Sequence, residues 1–205
     1  MKNLKTKFLF LRLTFGILLS ISALAANAAH AEEACPIKVT LESDIAAPAD
    51  QIFAFTVANE NLSKIMIGYG PLPAVKGTKL LVTPFEQIGG RRQVNLSDNS
   101  IAFEEITALD PPTHFAYRVW GYTNSMANLA LEAHGEWWFE PRGTDTHITW
   151  QYTFTPKSAL SKPVLRMIVN VFFRGYMQRG LDQIKAQVEQ NSEMQTASLD
   201  REDAL

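Results

Sequence analysis

One long run of predicted β-strands constrains the fold of this chain more than any other feature. Apolar and polar residues alternate in six successive segments, as expected where neighbouring side chains point to opposite faces of a sheet. Short clusters of Gly, Pro, Asp and Asn separate the segments. The segments cover residues 79–85, 91–96, 101–109, 115–122, 129–139 and 146–154. With an earlier strand predicted over Ile37–Ile45, they indicate one large antiparallel sheet.

A single long helix is predicted after the strands. Ser161 can cap it, Pro163 is tolerated in its first turn, and apolar residues recur at helical spacing as far as Val188. Two short helices are predicted after the first strand, one beginning near Pro48 and one over 62–66. A long helix of this kind buries its apolar stripe by lying across a curved sheet. Such an α+β arrangement leaves room for a cavity between the two.

Both ends of the chain are predicted to lie outside the globular domain, which is expected over 36–190. Residues 1–31 combine a basic start, an apolar run and small residues at the end, the pattern of a Sec-type signal peptide. An uncleaved N-terminal anchor is the alternative. Residues 191–205 are polar and acidic, which predicts a disordered tail. We therefore expect a periplasmic or secreted protein with no stable membrane span after processing.

Charge and cysteine content bear on the partners and the redox chemistry. The chain has 19 basic and 21 acidic residues, and without the four basic residues of the predicted signal peptide 15 remain against 21, a formal −6. Because these basic residues are scattered, neither nucleic acid nor an anionic membrane is expected as the main partner. Cys35 is the one cysteine, so no internal disulfide can form. We expect it to be a spectator near the processed N-terminus.

Nearly the whole predicted domain resembles a known family. The resemblance is carried, in order, by "SDIAAPADQIFAFTVANENLSKI", "GGRRQVNLSDNSIAFEEITALDPPTHFAYRV" and "GEWWFEPRGTDTHITWQYTF". These segments resemble the polyketide cyclase/dehydrase-like branch of the START/Bet v 1 (SRPBCC) superfamily. The resemblance implies a helix-grip fold, a seven-stranded antiparallel sheet curved around a long C-terminal helix, with a hydrophobic ligand cavity between them. It leaves function open, because the superfamily includes lipid carriers, hormone receptors, aromatic-ring cyclases and quinone-binding proteins.

A pair of adjacent tryptophans predicts which residues face the cavity. Trp137 and Trp138 must point to opposite faces of their strand. Because proline cannot adopt the positive φ of a two-residue turn, we predict a four-residue loop over 141–144. This register places Trp137 opposite Ile148 on the helix side. It places Trp138 opposite His147 on the outer face.

The same alternation predicts a cavity lined by aromatic and aliphatic side chains. An apolar pocket with a few hydroxyl groups suits a hydrophobic ligand, and a packed core without a cavity is the alternative. The predicted ligand-binding residues are Arg92, Val94, Phe103, Glu105, Phe115, Tyr117, Trp137, Phe139, Trp150, Tyr152, Val169, Phe172 and Tyr176. A Gly/Pro loop over 68–77 is predicted to act as a lid.

Two charged residues fall on positions that are predicted to face inward. Arg92 has the parity of Val94, and Glu105 has the parity of Phe103. Because a buried charge requires a partner, we predict an Arg92–Glu105 ion pair. We favour a structural role for it, and anchoring of a ligand carboxylate or hydroxyl is the alternative. A bulge near Glu105 would turn that side chain outward.

Signals for catalysis are few. The sequence contains no zinc-ligand spacing, Walker loop, dinucleotide fingerprint or G-x-S-x-G motif, so no metal, cofactor or catalytic residue is predicted. We expect a protein that binds a hydrophobic small molecule such as a lipid, a quinone or a polycyclic compound. A cyclase/dehydrase-type enzyme is the first alternative, with Tyr117, Tyr152, Arg92 and Glu105 as its acid/base or polarising groups.

An aromatic patch on the outer face provides a second alternative. Trp120 and Trp138 are predicted to lie there with Arg118 and His147. We favour aromatic and cation–π packing that covers the sheet. The alternative is an accessory protein that binds a periplasmic partner through the Trp120/Trp138 face.

Overall fold

A computed structural model describes the backbone of residues 35–202 and the side chains of residues 35–191. The predicted signal peptide lies outside the described residues. The strands are β1 (Ile37–Ile45), β2 (Val75–Val82), β3 (Arg91–Leu96), β4 (Ile101–Asp110), β5 (His114–Trp120), β6 (Ala130–Arg142) and β7 (Asp145–Pro156). The helices are α1 (Ala49–Val57), α2 (Leu62–Ile65), α3 (Lys162–Ile168) and α4 (Arg174–Glu202), with short 3-10 turns at Asn59–Asn61 and Ser125–Asn128. A π-helical turn, Val169–Phe173, joins α3 to α4.

The strands form one antiparallel sheet in the order β1-β7-β6-β5-β4-β3-β2. The predicted seven-stranded sheet, the long C-terminal helix and the short helices after the first strand are confirmed. β2 begins at Val75, inside the loop predicted over 68–77, because Val75 pairs with Leu96 of β3. The sheet is therefore a continuous meander from β2 to β7, with the first strand added beside the last.

The core lies between the inner face of the sheet and the helices. Along β7 every second residue from Thr146 to Pro156 is buried, which is the pattern of a strand with one covered face. On α4, Met177, Leu181, Ile184 and Val188 are buried at spacings of four, three and four residues. Each such side chain stabilises the fold by about 1.5–3 kcal/mol relative to its exposed state. The stripe therefore holds α4 against the sheet.

The β6–β7 turn differs from the predicted four-residue loop. Trp137 pairs with Trp150 and Trp138 with Thr149, and the last pair is Arg142 with Asp145. The predicted faces of both tryptophans are retained, but the predicted partners are wrong by two residues. Gly143, at a φ of 69°, supplies the positive φ of a two-residue turn. Pro141 is tolerated inside β6 because the pairing of β6 with β5 extends only to Trp138. No carbonyl of β5 therefore requires the N–H that proline lacks.

The C-terminal helix differs from prediction at two places. The π-helical turn inserts one extra residue into the helical repeat, so that both Phe172 and Phe173 contribute to the inner side. Further on, the backbone of α4 continues through Glu202, inside the segment for which composition predicts disorder. That segment contains no Gly or Pro to end a helix. No helix among residues 35–202 is long and apolar enough to cross a membrane.

Candidate ligand-binding cavity

A cavity of about 440 Å³ lies between the inner face of the sheet and the C-terminal helix. This volume falls in the range of small-molecule sites, roughly 300–1,000 Å³. Its walls come from α1 and α2, the loop after α2, strands β2 to β7, and the segment from α3 into α4. Most of the lining side chains are aliphatic or aromatic. The cavity can therefore bury an apolar molecule, and its few polar groups determine where such a molecule would be held.

Most of the predicted ligand-binding residues line this cavity. They are Arg92, Val94, Phe115, Tyr117, Trp137, Trp150, Tyr152, Val169, Phe172 and Tyr176. Phe139 faces the same side but lies in the packed core, with its ring 5.5 Å from that of Phe53. Phe103 and Glu105 lie on the outer face of β4, where they pair with Trp120 and Arg118 of β5. The inward orientation predicted for Phe103 and Glu105 is wrong.

The β3–β4 turn explains that error. Val94 pairs with Ala102 and Arg92 with Glu104, so even-numbered residues of both strands share the inner face. A three-residue turn with a left-handed residue produces this register, and Asn99, at a φ of 64°, occupies that position. The inner face of β4 therefore presents Ala102, Glu104 and Ile106 to the cavity. The bulge in β4 lies beyond Ile106 and does not cause the reversal.

The charged group of the cavity is an ion pair between Arg92 and Glu104. Both Nε and Nη2 of Arg92 lie 2.7 Å from Oε2 of Glu104, and the two residues are only 6% and 7% exposed. The guanidinium also lies over the ring of Phe85, 3.9 Å from its centroid. Its Nη1 is buried with no hydrogen-bond partner in the described part of the chain. Arg92 therefore retains one unused donor in the cavity wall.

A stacked pair of tryptophans forms the aromatic wall of the cavity. Trp137 and Trp150 stack with centroids 4.1 Å apart, and the indole of Trp150 interacts with the hydroxyl of Tyr117. Helix α4 approaches this wall closely at Gly180, where a Cβ atom would lie 3.3 Å from the Trp150 ring. Buried donors are normally satisfied. The unsatisfied Nη1 of Arg92 therefore favours a ligand that carries an acceptor oxygen.

The tyrosines of the cavity are neutral donors. Burial, followed by the negative charge of Glu104, raises the pKa of Tyr117 far above its usual 10.0. Burial, followed by the nearby Tyr117, does the same to the pKa of Tyr152. Burial and Glu104 also raise the pKa of Tyr122 and of Tyr176. These hydroxyls therefore keep their protons at neutral pH and are poor bases.

The loop after α2 closes one side of the cavity and is attached to α4. The hydroxyl of Tyr176 donates to the carbonyl of Pro73 at 3.0 Å. The ring of Tyr69 lies against Gly175, where a Cβ atom would come within 2.4 Å of it, and Arg179 lies 5.9 Å from the centroid of the same ring. The loop predicted over 68–77 thus comprises residues 67–74, which contact the helix and end where β2 begins, and its role as a lid stays a prediction.

Several polar and aromatic lining residues escape prediction from the sequence. Glu104 is hidden by the uncertain parity of β4. Phe173 is hidden because ideal helical spacing cannot place two adjacent phenylalanines on one side. Tyr122, Asn124 and Ser125 also line the cavity. Tyr122 ends the strand predicted over 115–122 and has the outward parity of Trp120, but β5 stops at Trp120 and the chain beyond it is irregular. No periodicity assigns a face to Asn124 or Ser125. The asparagine and serine do mark the start of a short helical turn, and this was the one available signal.

The histidines at positions 114, 134 and 147 lie away from the cavity. Each contacts a carboxylate on the outer face: His114 contacts Glu136 at 3.0 Å, and His147 contacts Asp44 at 2.7 Å. The hydrogen bond from His147 lowers the pKa of Asp44. No cluster of side chains suited to a metal ion occurs within residues 35–191.

The outer aromatic patch packs within the molecule. Arg118 lies over the ring of Trp120 at 4.9 Å and binds Glu132 at 2.6 Å. Trp138 lies 5.6 Å from the ring of His114. These contacts are of the covering kind favoured from the sequence, and a protein partner at this face stays a prediction.

Fold and cavity together define a helix-grip protein of the SRPBCC/Bet v 1 superfamily with an internal cavity of the ligand-binding type. The chain belongs to the family described as "Polyketide cyclase / dehydrase and lipid transport", whose model matches residues 36–189.

Solved structures share this fold at low sequence identity. Ara h 8.0201 is 19% identical, with 76% of this chain and 99% of that chain covered and a TM-score of 0.61. The Zhui aromatase/cyclase from a Streptomyces species is 14% identical, with 77% and 96% covered and a TM-score of 0.59. The ginseng major latex-like protein 151 from Panax ginseng is 16% identical, with 74% and 97% covered and a TM-score of 0.56. No curated protein matches the chain.

Proposed function

We propose that this protein is an exported carrier that holds an uncharged, largely apolar molecule with at least one carbonyl-type oxygen. The observation that carries the proposal is the unused Nη1 donor of Arg92 in the wall of an apolar cavity. A carbonyl oxygen would satisfy this donor, and the surrounding side chains would remove the rest of the molecule from water, at roughly 25 cal/mol for each Å² of apolar surface. A quinone or another polycyclic ketone meets both requirements.

The charge of the cavity favours an uncharged ligand over a carboxylate. Arg92 is already neutralised by Glu104 at 2.7 Å. An anionic ligand would bring a second negative charge to a buried pair that has one cation, and an unpaired buried charge is costly. A neutral acceptor avoids this cost. The ion pair thus keeps its structural role and supplies polarity for recognition.

The proposal is tested first by identifying the compound that co-purifies with the protein. Protein isolated from its own host is expected to release an uncharged, carbonyl-containing compound in native mass spectrometry. The emptied protein is then titrated with three probes of one size: menadione, methylnaphthalene and naphthoate. We expect menadione to bind about tenfold tighter than methylnaphthalene, because it gains a hydrogen bond from a charged donor. Preferential binding of naphthoate would contradict the proposal.

A paired substitution supplies the control for these titrations. In the double variant Arg92→Met/Glu104→Met the donor and its counter-charge are removed together, so no unpaired charge remains. The preference for menadione over methylnaphthalene should vanish while methylnaphthalene still binds. If both probes lose binding equally, the ion pair shapes the cavity and does not recognise the ligand.

The cyclase/dehydrase alternative requires the same residues to act as acid/base or polarising groups in a reaction. The nearby donors Arg92, Tyr117 and Tyr152 could polarise a carbonyl, but the raised pKa values of the tyrosines oppose a role as bases. The co-purified compound is incubated with the protein and its mass is followed. Unchanged mass supports the carrier, and a loss of water catalysed by the protein would support the enzyme.

Export is supported by the composition of residues 1–31. The N-terminus of protein recovered from separated cell fractions tests it. We expect a processed chain in the periplasm or the medium, beginning at or close to Glu32. An intact N-terminus in the cytoplasm would contradict export without affecting the ligand assays.

A further inference from the structure

Four large apolar side chains are exposed along one side of α3 and the residues next to it. Leu160 is 90% exposed, Val164 45%, Met167 49% and Val171 56%. They recur at spacings of four, three and four residues, so within the helical segment they share one face. Single exposed apolar residues are ordinary. A row of four, which we call the apolar stripe, is the feature of an interaction surface.

The charge around the apolar stripe is positive. From residue 157 to residue 181 the sequence has five basic residues and no acidic one, although the chain as a whole is acidic. Arg166 and Arg174 are exposed and form no ion pair among residues 35–191. Five of the 15 basic residues that follow residue 31 thus fall in this one segment, where no acidic residue offsets them. A partner of complementary chemistry presents an apolar layer beneath negative charges.

The apolar stripe also borders the cavity. Met167 is half exposed and at the same time lines the cavity, and the next inward residues, Ile168 and Phe172, line it as well. Tyr69 of the loop that closes the cavity lies against Gly175, one residue beyond Arg174. Whatever binds the apolar stripe therefore approaches the wall and the loop through which an apolar molecule could pass.

We propose that the apolar stripe docks on the surface of an anionic lipid bilayer. Val164, Met167 and Val171 would enter the boundary between headgroups and acyl chains, and Arg166 and Arg174 would contact lipid phosphates. Docking of this kind is peripheral and needs no membrane-spanning helix. It goes beyond carrier function, because it assigns the surface on which cargo is exchanged. It does not depend on the identity of the cargo.

Vesicle binding tests the proposal with protein purified after normal processing and carrying no added ligand. Vesicles of phosphatidylethanolamine with phosphatidylglycerol are compared with vesicles of phosphatidylcholine alone by flotation. We expect binding to the anionic vesicles only, weakened by added salt. Arg166→Gln and Arg174→Gln should each weaken binding by about fivefold. Arg142→Gln, a change of the same charge at an exposed site far along the sheet, should have no effect.

The apolar contribution is tested by Val171→Glu, with Ile88→Glu as its control at a residue that is 67% exposed. Val171→Glu should abolish vesicle binding, and Ile88→Glu should leave it intact. Binding that is equal in both variants would overturn the proposal. A stripe that instead pairs two copies of the chain, seen as a dimer in sedimentation that Val171→Glu disrupts without vesicle binding, would overturn it too.

A local probe locates the contact independently. In a Cys35→Ser background, Val171→Cys and Ile88→Cys each carry one environment-sensitive fluorophore. On anionic vesicles the emission at position 171 should shift to the blue, and the emission at position 88 should not. A shift at position 88 alone would place the membrane contact elsewhere. Cargo binding is measured separately in solution, so failure of docking and failure of the carrier proposal are distinguishable.

Discussion

At the scale of single residues, one buried ion pair controls the polarity of the cavity. Arg92 and Glu104 neutralise each other, and Nη1 of Arg92 is left without a hydrogen-bond partner among the described residues. Breaking such a pair leaves an unpaired buried charge, whereas replacing both partners by apolar residues of similar size is close to neutral. Stability and recognition can therefore be separated by comparing single and double substitutions.

Arg92→Met is expected to destabilise the protein by about 3–5 kcal/mol, because Glu104 would stay buried without its cation. Arg92→Met/Glu104→Met should recover most of that loss. Urea unfolding of the wild type, both single variants and the double variant measures the coupling. Losses that simply add in the double variant would show that the two side chains do not act as a pair.

Gly135→Ala is expected to destabilise the protein by about 1–3 kcal/mol, because the new methyl group would lie 2.3 Å from the ring of Tyr117 and displace it. Gly77→Ala is the matched control, since no atom lies within 4 Å of its added Cβ. Thermal unfolding of both variants decides the point. A Gly135→Ala variant as stable as Gly77→Ala would indicate that the Tyr117 ring can be displaced without a loss of stability.

At the scale of elements, the 67–74 loop forms part of the cavity wall and is attached to α4. The hydrogen bond from Tyr176 to Pro73 and the packing of Tyr69 on Gly175 join a strand connection to the helix. Neither contact is part of the sheet, so both can open while the sheet stays intact. We therefore expect that this loop can open without unfolding of the sheet.

Tyr176→Phe keeps the ring and removes its hydrogen bond to Pro73, which should cost about 0.5–1.5 kcal/mol. Because that energy belongs to loop closure, amide exchange in residues 67–74 should speed up while exchange in β6 and β7 stays unchanged. Hydrogen exchange with peptide mass analysis measures both. Uniformly faster exchange would mean that the bond supports the whole fold.

The faces of the strands could be predicted where alternation along the strand is unambiguous, even though the β6–β7 turn itself was predicted wrongly. Alternation placed Trp137, Trp150 and Tyr152 correctly, because in β6 and β7 it is unambiguous. It placed Glu105 inside instead of Glu104, because β4 carries large residues on both faces and the deciding signal was a left-handed Asn99. In the same way, one extra residue in the π-helical turn was invisible to a search for ideal helical spacing.

At the scale of the whole molecule, the order of the elements was predictable and the cavity volume was not. The strand run followed by one long helix determines the class of architecture, but a cavity of about 440 Å³ and a solid core produce the same alternation. The difference depends on interatomic distances, such as the close approaches of aromatic rings to Gly135, Gly175 and Gly180. No periodic pattern encodes those distances.

The whole molecule is expected to unfold in base. Four of the five tyrosines, Tyr117, Tyr122, Tyr152 and Tyr176, have pKa values raised by burial above the unfolded value of 10.0. The folded state therefore holds protons that the unfolded state releases. Their contribution to stability is complete below pH 10 and declines above it, by about 1.4 kcal/mol per pH unit for each tyrosine.

Tyrosinate absorbance and circular dichroism, followed together from neutral to alkaline pH, measure this. The absorbance of the buried tyrosines should rise only as the fold is lost, and Tyr117→Phe should make stability less dependent on pH above 10. Tyr69→Phe, at a partly exposed ring, serves as the comparison. Ionisation of all tyrosines near pH 10 in an intact fold would contradict the expectation.

The position of β1 has a consequence for how the protein is made. Ile37 pairs with Phe154 and Ile45 with Thr146, so the first strand to leave the ribosome can join the sheet only after the last strand has been synthesised. Such long-range pairing makes folding slow, on the order of milliseconds to seconds. The proposed export would require the chain to stay unfolded until it has crossed the membrane. Late pairing of β1 is compatible with that requirement.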